Sequence, residues 1–262
     1  MIRALFSGRT GMTGQQLQLD TIANNLANVN TAGFKKSRAQ FEDLYYQELR
    51  AMGSQTPDGG RVPSGIQVGL GVQPTSVQKI FTQGSLTETG NDLDWAISGN
   101  GFYKVIHNGE NYYTRAGSFS LDANGDVVTQ NGDRLQPQIT VPQGTVTMSI
   151  DNNGLFTALD AQQKVLASVQ LTLDSFINPS GLRSSGGNLF QETEASGPPT
   201  EANPGTQGMG SIQQRFSEVS NVDVTEELVN MIITQRAYEV NSKTIQTADQ
   251  MLQLADNLVV RG

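Results

Sequence analysis

The chain contains no cysteine among its 262 residues. Disulfides, thiolate nucleophiles and cysteine-held metals are therefore excluded, while either redox compartment stays open. Its one histidine, His107, precedes an Asn-Gly turn signal. A Ser-His-Asp triad would depend on that residue, and no Gly-x-Ser-x-Gly elbow occurs. A zinc site lacks its usual ligands. Aromatics are few, and no apolar run approaches the roughly 20 residues that cross a bilayer. The start of the chain, MIRALFSGRTGMTGQQLQLD, breaks its short apolar run with Ser7, Gly8 and Arg9, so no cleaved secretory leader is expected. Basic residues are also in deficit. Lys and Arg number 17 against 25 Asp and Glu, a formal net charge of −8. Phosphate binding needs the opposite balance, so neither a nucleic-acid partner nor membrane insertion is expected.

Chemical motifs are equally sparse. Gly99-Asn100-Gly101 does not extend to the Gly-x-Gly-x-x-Gly of a phosphate cradle. Asp122, Asn124 and Asp126 sit at the first, third and fifth places of a calcium loop, but the sixth is Val127 and the twelfth Asp133, where Gly and Glu are needed. A hairpin turn explains that stretch better. Asp92 and Asp94 are a possible carboxylate pair for glycoside chemistry. Their alternation with Leu93 and Trp95 equally suits the outward face of a strand. We expect no enzyme activity, no cofactor and no metal.

What the chain does have is neutral polarity. Gln and Asn together number 44, more than the 42 charged residues. An amide-covered surface can pack against copies of itself without strong repulsion.

Heptad patterning occupies both ends. Leu5, Met12, Leu19 and Leu26 recur every seven residues, with Ile22 and Val29 three places beyond two of them. That is an a/d seam, and it predicts a helix from Ile2 to Val29. Gly8, Gly11 and Gly14 weaken its first half, and Gly33 is the expected stop. At the other end Met231, Tyr238, Ile245, Leu252 and Val259 repeat at the same interval, with the shorter Thr234, Asn241, Ala248 and Ala255 three places on. This predicts a helix from Val224 to Val260, capped by Ser220 or Asn221, with Glu226 and Glu227 favouring its positive end. The first 50 residues carry net charge +2 and residues 212–262 carry −3. Antiparallel pairing of the two helices is the natural expectation, with each seam also needing neighbours for full burial.

Between them, Ser85 to Phe176 alternates short β-rich runs with HNGE, DANGD, QNGD and DNNG turns, strong hairpin signals. Asn178 to Gly210 is rich in Gly, Pro and Ser and reads as a return connection outside the core. Tyr45 to Pro74 begins polar and slightly helical, then becomes Gly- and Pro-rich. The expected fold class is α+β: a discontinuous terminal helical coiled-coil domain plus a central antiparallel β-rich domain. The expected divisions are 1–45, an extended stretch 46–75, a β domain 76–211, and 212–262.

Three stretches carry a resemblance. TIANNLANVNTAGFKK (Thr21 to Lys36) and NVDVTEELVNMIITQRAYEVNSKTIQTADQML (Asn221 to Leu252) resemble the terminal signatures of the bacterial flagellar axial proteins, the rod and hook family. LDWAISGNGFYKV with YTRAGSF resembles the central motif of its rod and hook members. The Tyr45 to Pro74 stretch is similar to the segment marking distal rather than proximal rod members. The chain is short for a hook subunit.

The resemblance implies a helical homopolymer, a drive shaft that transmits torque across the periplasm. It implies as partners copies of itself, proximal rod proteins, the hook protein, the P-ring and L-ring proteins, the rod cap and the flagellar type III export apparatus. It places the heptad residues above at subunit contacts, together with Asn24, Asn25, Asn28 and Asn30, whose amides would bond neighbouring backbones. Tyr46, Gly53, Pro57, Pro63 and Gly65 would lie in a stretch that stiffens the tube. A secreted β-rich adhesin and a cell-wall-acting enzyme are the readings from other classes.

Overall fold

The computed structural model describes residues 2–53 and 63–260, with the backbone alone at Ile2, Ala255 and 257–260. It divides into two compact units. A helical unit comprises residues 1–26, 37–78 and 223–262, and a β unit comprises 27–36 and 79–222.

In the helical unit, α1 spans Ile2–Ala27 and α2 spans Val224–Val260. The cap of α2 is Asp223, two positions closer to the helix than Asn221 and three closer than Ser220. Its Oδ1 accepts from Thr225 N at 2.8 Å and Glu226 N at 3.2 Å, satisfying backbone donors that a helix start leaves open. Ser220 and Asn221 belong instead to the β unit. The same unit holds two strand pairs, Ser37–Asp43 with Val72–Lys79, and Tyr46–Arg50 with Ile66–Gly69. The slight helicity expected after Tyr45 is thus overturned. Cross-strand pairing with Ile66–Gly69 overrides the weak propensity of Tyr-Gln-Glu-Leu-Arg.

The β unit is antiparallel through its principal sheets. Seven strands run in the order Arg183–Gly186, Leu189–Gln191, Glu110–Thr114, Tyr103–His107, Arg134–Gln136, Val127–Thr129 and Phe119–Leu121. Tyr103–His107 and Glu110–Thr114 are joined by Asn108 and Gly109, both at positive φ, as a two-residue hairpin requires. Thr147–Ile150, Leu155–Leu159 and Val165–Gln170 make a three-stranded sheet. Shorter pairs join Leu173–Ser175 to Thr200–Ala202, Trp95–Ser98 to Ser211–Gln214, and Leu86–Glu88 to Phe216–Glu218. The last two pairings explain why residues 211–222 fold with the β unit and not with α2.

The core gathers on Trp95, Ile97, Tyr103, Val105, Phe156 and Leu173. The central motif supplies much of it. Tyr103 OH donates to Trp95 O at 2.9 Å, and Trp95 Nε1 donates to Asp92 O at 2.9 Å, so buried polar tips are satisfied. A second cluster joins Phe102, Tyr113, Phe176, Leu182 and Phe190. This corrects the expectation that 178–210 lies outside the core. Leu182, Leu189 and Phe190 are buried, and Leu189–Gln191 pairs with Glu110–Thr114 inside the large sheet.

Candidate assembly surface

The two helices of the helical unit run antiparallel, since Gly8 faces Ile245 and Gly11 faces Asn241. A carbon added at Gly8 would lie 2.9 Å from Ile245 Cγ1, and one at Gly11 would lie 2.9 Å from Asn241 Nδ2. The glycines that cost α1 intrinsic stability therefore admit α2 at close range. Their spacing of three on one face was the available signal. Gly14 faces Phe41 and Val72 in the same unit.

Asn25 joins three elements of this unit. Its side chain is buried. Nδ2 donates to Ser37 O at 2.9 Å and to Glu227 Oε1 at 3.3 Å, while Oδ1 accepts from Ser37 N at 2.8 Å. These bonds of the amide run inside the subunit. Asn24 and Asn30 are exposed, and Asn28 Oδ1 accepts from Thr31 Oγ1 at 3.2 Å. Among the seam residues Ile22 is buried, and Leu5, Met12, Leu19, Leu26, Val29, Met231, Asn241, Ile245 and Leu252 are half-buried. Tyr238 is exposed. Pro57 and the side chain of Val259 lie outside the described residues.

Gly33 does not end the helix, because α1 stops at Ala27. Gly33 holds φ +70°, and a carbon added there would meet Ala116 N at 2.7 Å. It is glycine for both reasons.

Much of the apolar surface of α2 lies off the heptad seam. Leu228, Val229, Ile232, Ile233, Val240, Met251 and Leu254 are all exposed. At 100° per residue they fall within one arc of about 140°, whereas Glu227, Thr234, Asn241, Ile245 and Ala248 fall on the other side. The seam meets α1, so the outer arc is what asks for a neighbour. Sequence reading missed it, because seven-residue repeats select one stripe only. The helical unit exposes a second apolar region on the strand pair Tyr46–Arg50 and Ile66–Gly69, where Tyr46, Leu49 and Ile66 face solvent, with Tyr45 and Met52 beside it. In that region a carbon added at Gly65 would meet Arg50 O at 2.5 Å, while Gly53 has open space around it.

In the β unit the N-terminal and central signature stretches meet Glu218, three residues before the C-terminal stretch begins, at one ion cluster. Lys35, from the N-terminal stretch, places Nζ 2.6 Å from Glu218 Oε1 and donates to Thr82 O at 2.8 Å. Arg115, from YTRAGSF, donates through Nε to Glu218 Oε2 at 2.7 Å and through Nη1 to Gly101 O at 2.6 Å. Its Nη2 reaches Ile97 O at 3.2 Å and also Gly99 O. Gly84 N completes the shell at 2.9 Å from Glu218 Oε1. Lys35 and Glu218 are each 1% exposed. Burial alone would raise the Glu218 carboxyl, but Arg115 and Lys35 outweigh it and hold it below its ordinary range. Burial lowers Lys35, with Glu218 opposing.

The residues weighed for catalysis hold structural bonds. Asp92 pairs with Arg215 at 2.7 Å, Asp94 Oδ2 accepts from Thr89 Oγ1 at 2.6 Å, and His107 faces Asp133. Asp126 accepts from Thr140 Oγ1 at 2.6 Å.

Paired terminal helices with an uncovered apolar arc, and a β unit inserted between them in sequence, are the build of a structural assembly subunit. The comparisons give its kind. The family described as flagella basal body rod protein matches residues 5–35, the flagellar hook protein FlgE/F/G D1 domain matches 96–158, and the flagellar basal body rod FlgEFG protein C-terminal family matches 213–258. The flagellar basal-body rod protein FlgG of Buchnera aphidicola subsp. Schizaphis graminum is 48% identical over 260 residues, covering 98% of this chain and 100% of the relative. That of Caulobacter vibrioides is 46% identical over 260 residues (98% and 99%), and that of Borreliella burgdorferi 45% over 262 residues (98% and 99%). The chain belongs to the flagellar rod and hook protein family. It is a structural subunit of the flagellar basal-body rod, and nothing in these comparisons supports the adhesin reading.

Proposed function

We propose that this rod subunit polymerises with copies of itself into a rigid helical tube, and that the outer apolar arc of α2 is the surface the neighbouring copies cover. The arc of Leu228, Val229, Ile232, Ile233, Val240, Met251 and Leu254 carries this reading. A contiguous apolar face of that length marks an interaction surface. Each side chain taken from half-exposed to buried adds on the order of 1 kcal/mol, and the contacts repeat at every subunit. A head-to-tail contact that does not close generates an open filament.

The tube is the distal segment of the rod in this proposal, a shaft that carries torque to the hook. The strand pair Tyr46–Arg50 and Ile66–Gly69 supports it, because its exposed Tyr46, Leu49 and Ile66, with Tyr45 beside them, offer an added contact between copies. Such contacts resist bending. The same proposal includes passage across the periplasm, turning inside the P and L rings, and export through the flagellar type III apparatus. It includes proximal rod proteins and the rod cap as further neighbours. These partners rest on the resemblance.

The test is assembly of the purified chain, followed by sedimentation and electron microscopy. Wild type should form tubes. A double Ile232→Asp, Ile233→Asp variant should stay monomeric with an unchanged thermal midpoint, since both side chains are exposed. Tubes of normal length from that variant would remove the arc from the interface.

A further inference from the structure

The β unit holds a cavity of about 470 Å³ beside the ion cluster. Phe81, Phe102, Phe176 and Ile177 line it, and so do Lys35 and Arg115. The rings form one wall: Phe102 lies 5.5 Å from Phe81 and 5.8 Å from Phe176 between centroids. Ile177 stands beside the cavity 88% exposed, although it is a large aliphatic residue. An apolar cavity with a few convergent polar groups is the usual form of a small-ligand site.

The charge within it is unbalanced. Two cations face one carboxylate, Glu218. The donors are not all used either. A lysine ammonium has three N–H groups and a guanidinium five. Lys35 donates to Thr82 O and Glu218 Oε1, and Arg115 to Glu218 Oε2, Gly101 O, Ile97 O and Gly99 O. One N–H on each remains uncommitted among the described residues. Buried cations with spare donors attract an anion strongly, because little water screens them.

We propose that this cavity binds a single carboxylate carried on a short apolar stem. The carboxylate sits against Lys35 and Arg115, and the stem lies along Phe81, Phe102 and Phe176 toward Ile177. One negative charge matches the excess of one positive charge. A cationic ligand is repelled. A neutral apolar ligand leaves both N–H groups without an acceptor. A small inorganic anion makes no use of the aromatic wall. Two sources share this chemistry, a free aliphatic acid and an Asp or Glu side chain of a second copy of this chain.

The full-length unassembled protein is titrated with 4-methylpentanoate, and with 4-methylpentanamide as the uncharged control, while the amide resonances of Gly101, Phe102 and Phe176 are followed by NMR. The acid should give saturable shifts at those residues, and the amide should bind about tenfold more weakly or worse. Ile177→Ala should weaken the acid several-fold with no change in thermal midpoint. Absence of saturation, equal binding of acid and amide, or full affinity in Ile177→Ala would each overturn the proposal. A second arm separates the sources. If the acid but not the amide slows tube assembly, the natural occupant is a side chain of a second copy. If assembly is untouched while the acid binds, the occupant is a free acid. Because binding is read on the monomer, its outcome is independent of whether the chain forms tubes.

Discussion

Lys35 Nζ and Glu218 Oε1 lie 2.6 Å apart across 183 residues of sequence, each almost fully buried. Arg115 holds the other oxygen of the same carboxylate at 2.7 Å. Removing the shared anion leaves two buried cations facing each other. Breaking a buried pair from one side costs about 3–5 kcal/mol. Glu218→Gln should therefore lower the stability of the β unit by that order, read as a fall in its denaturation midpoint with the slope unchanged. The pH dependence has a definite sign. The Glu218 carboxyl is held below its ordinary value of 4.5, so its contribution is complete above that pH and is lost as pH falls through the native value. Wild type should lose stability in acid faster than Glu218→Gln does.

A second expectation concerns the helix pair. Gly11 lies against the Asn241 amide, with room for an added carbon only at 2.9 Å from Nδ2. That neighbour is the end of a side chain and can move. Gly11→Ala removes a glycine from a helix interior, a gain of up to about 1 kcal/mol, and should leave stability nearly unchanged. Gly11→Leu should separate α1 from α2 at a cost of about 1–3 kcal/mol. Limited proteolysis read by mass spectrometry checks both. The leucine variant should be cut early within both terminal helices, the alanine variant no faster than wild type.

Asn25 gives a third. Both its donor and its acceptor are used inside the helical unit, on Ser37 and Glu227. Asn25→Leu removes the bonds on Ser37 N and Ser37 O in a part-buried place, at about 1–3 kcal/mol for each group left unsatisfied. It should impair rod assembly through a loosened joint between α1 and α2, leaving the melting of the β unit intact. Gly33→Val should do the reverse. Its side chain would strike the Ala116 backbone at φ +70°, so the loss should appear in the β unit. Motility normal in both variants would contradict these assignments.

The difference between what the residues announced and what they did not is one of range. The spans of α1 and α2 follow from a seven-residue period, and the hairpin at Asn108-Gly109 from a two-residue signal. Both are local and carry their own geometry. The cluster of Lys35, Arg115 and Glu218 left no such trace, because its members are far apart in sequence and each looks like an ordinary surface charge. Leu189 and Phe190 were hidden by composition: two apolar residues carry the burial while the glycines, serines and prolines around them set the average. The outer arc of α2 was missed for a geometric reason. Ile232 and Ile233 fall between the heptad positions Met231 and Tyr238, and Leu228 falls before the first of them, so a search for one stripe passes over the other. The strand Tyr46–Arg50 depends on its partner Ile66–Gly69, which lies across a stretch outside the described residues.

Asp174 is a buried carboxyl with no ion-pair contact among the described residues. The residue is 2% exposed, and its Oδ2 has no hydrogen-bond partner among the described residues. Its backbone is fixed by paired bonds with Phe102, at 3.0 Å from Asp174 N to Phe102 O and 2.8 Å in return. Burial pushes its pKa up to about 6. Lys104 opposes this, and Glu201 and Glu192 add to it. Tyr113, whose OH points to Glu192 at 3.4 Å, is raised as well, first by burial and then by Asp174. A carboxyl raised from 3.8 to about 6 favours the native state most below the lower value, and that advantage is lost as pH rises through the upper one. At about 1.4 kcal/mol per pKa unit the loss between pH 4 and pH 7 is at most about 3 kcal/mol. Asp174→Asn keeps the shape and cannot ionise. It should be more stable than wild type at pH 7 by roughly 1–3 kcal/mol, equal to it near pH 4, and should lack the wild-type decline between them. Denaturation midpoints of both proteins at pH 4, 5.5 and 7 decide the matter. Parallel profiles would mean that Asp174 stays charged throughout and that its buried oxygen is satisfied in solution.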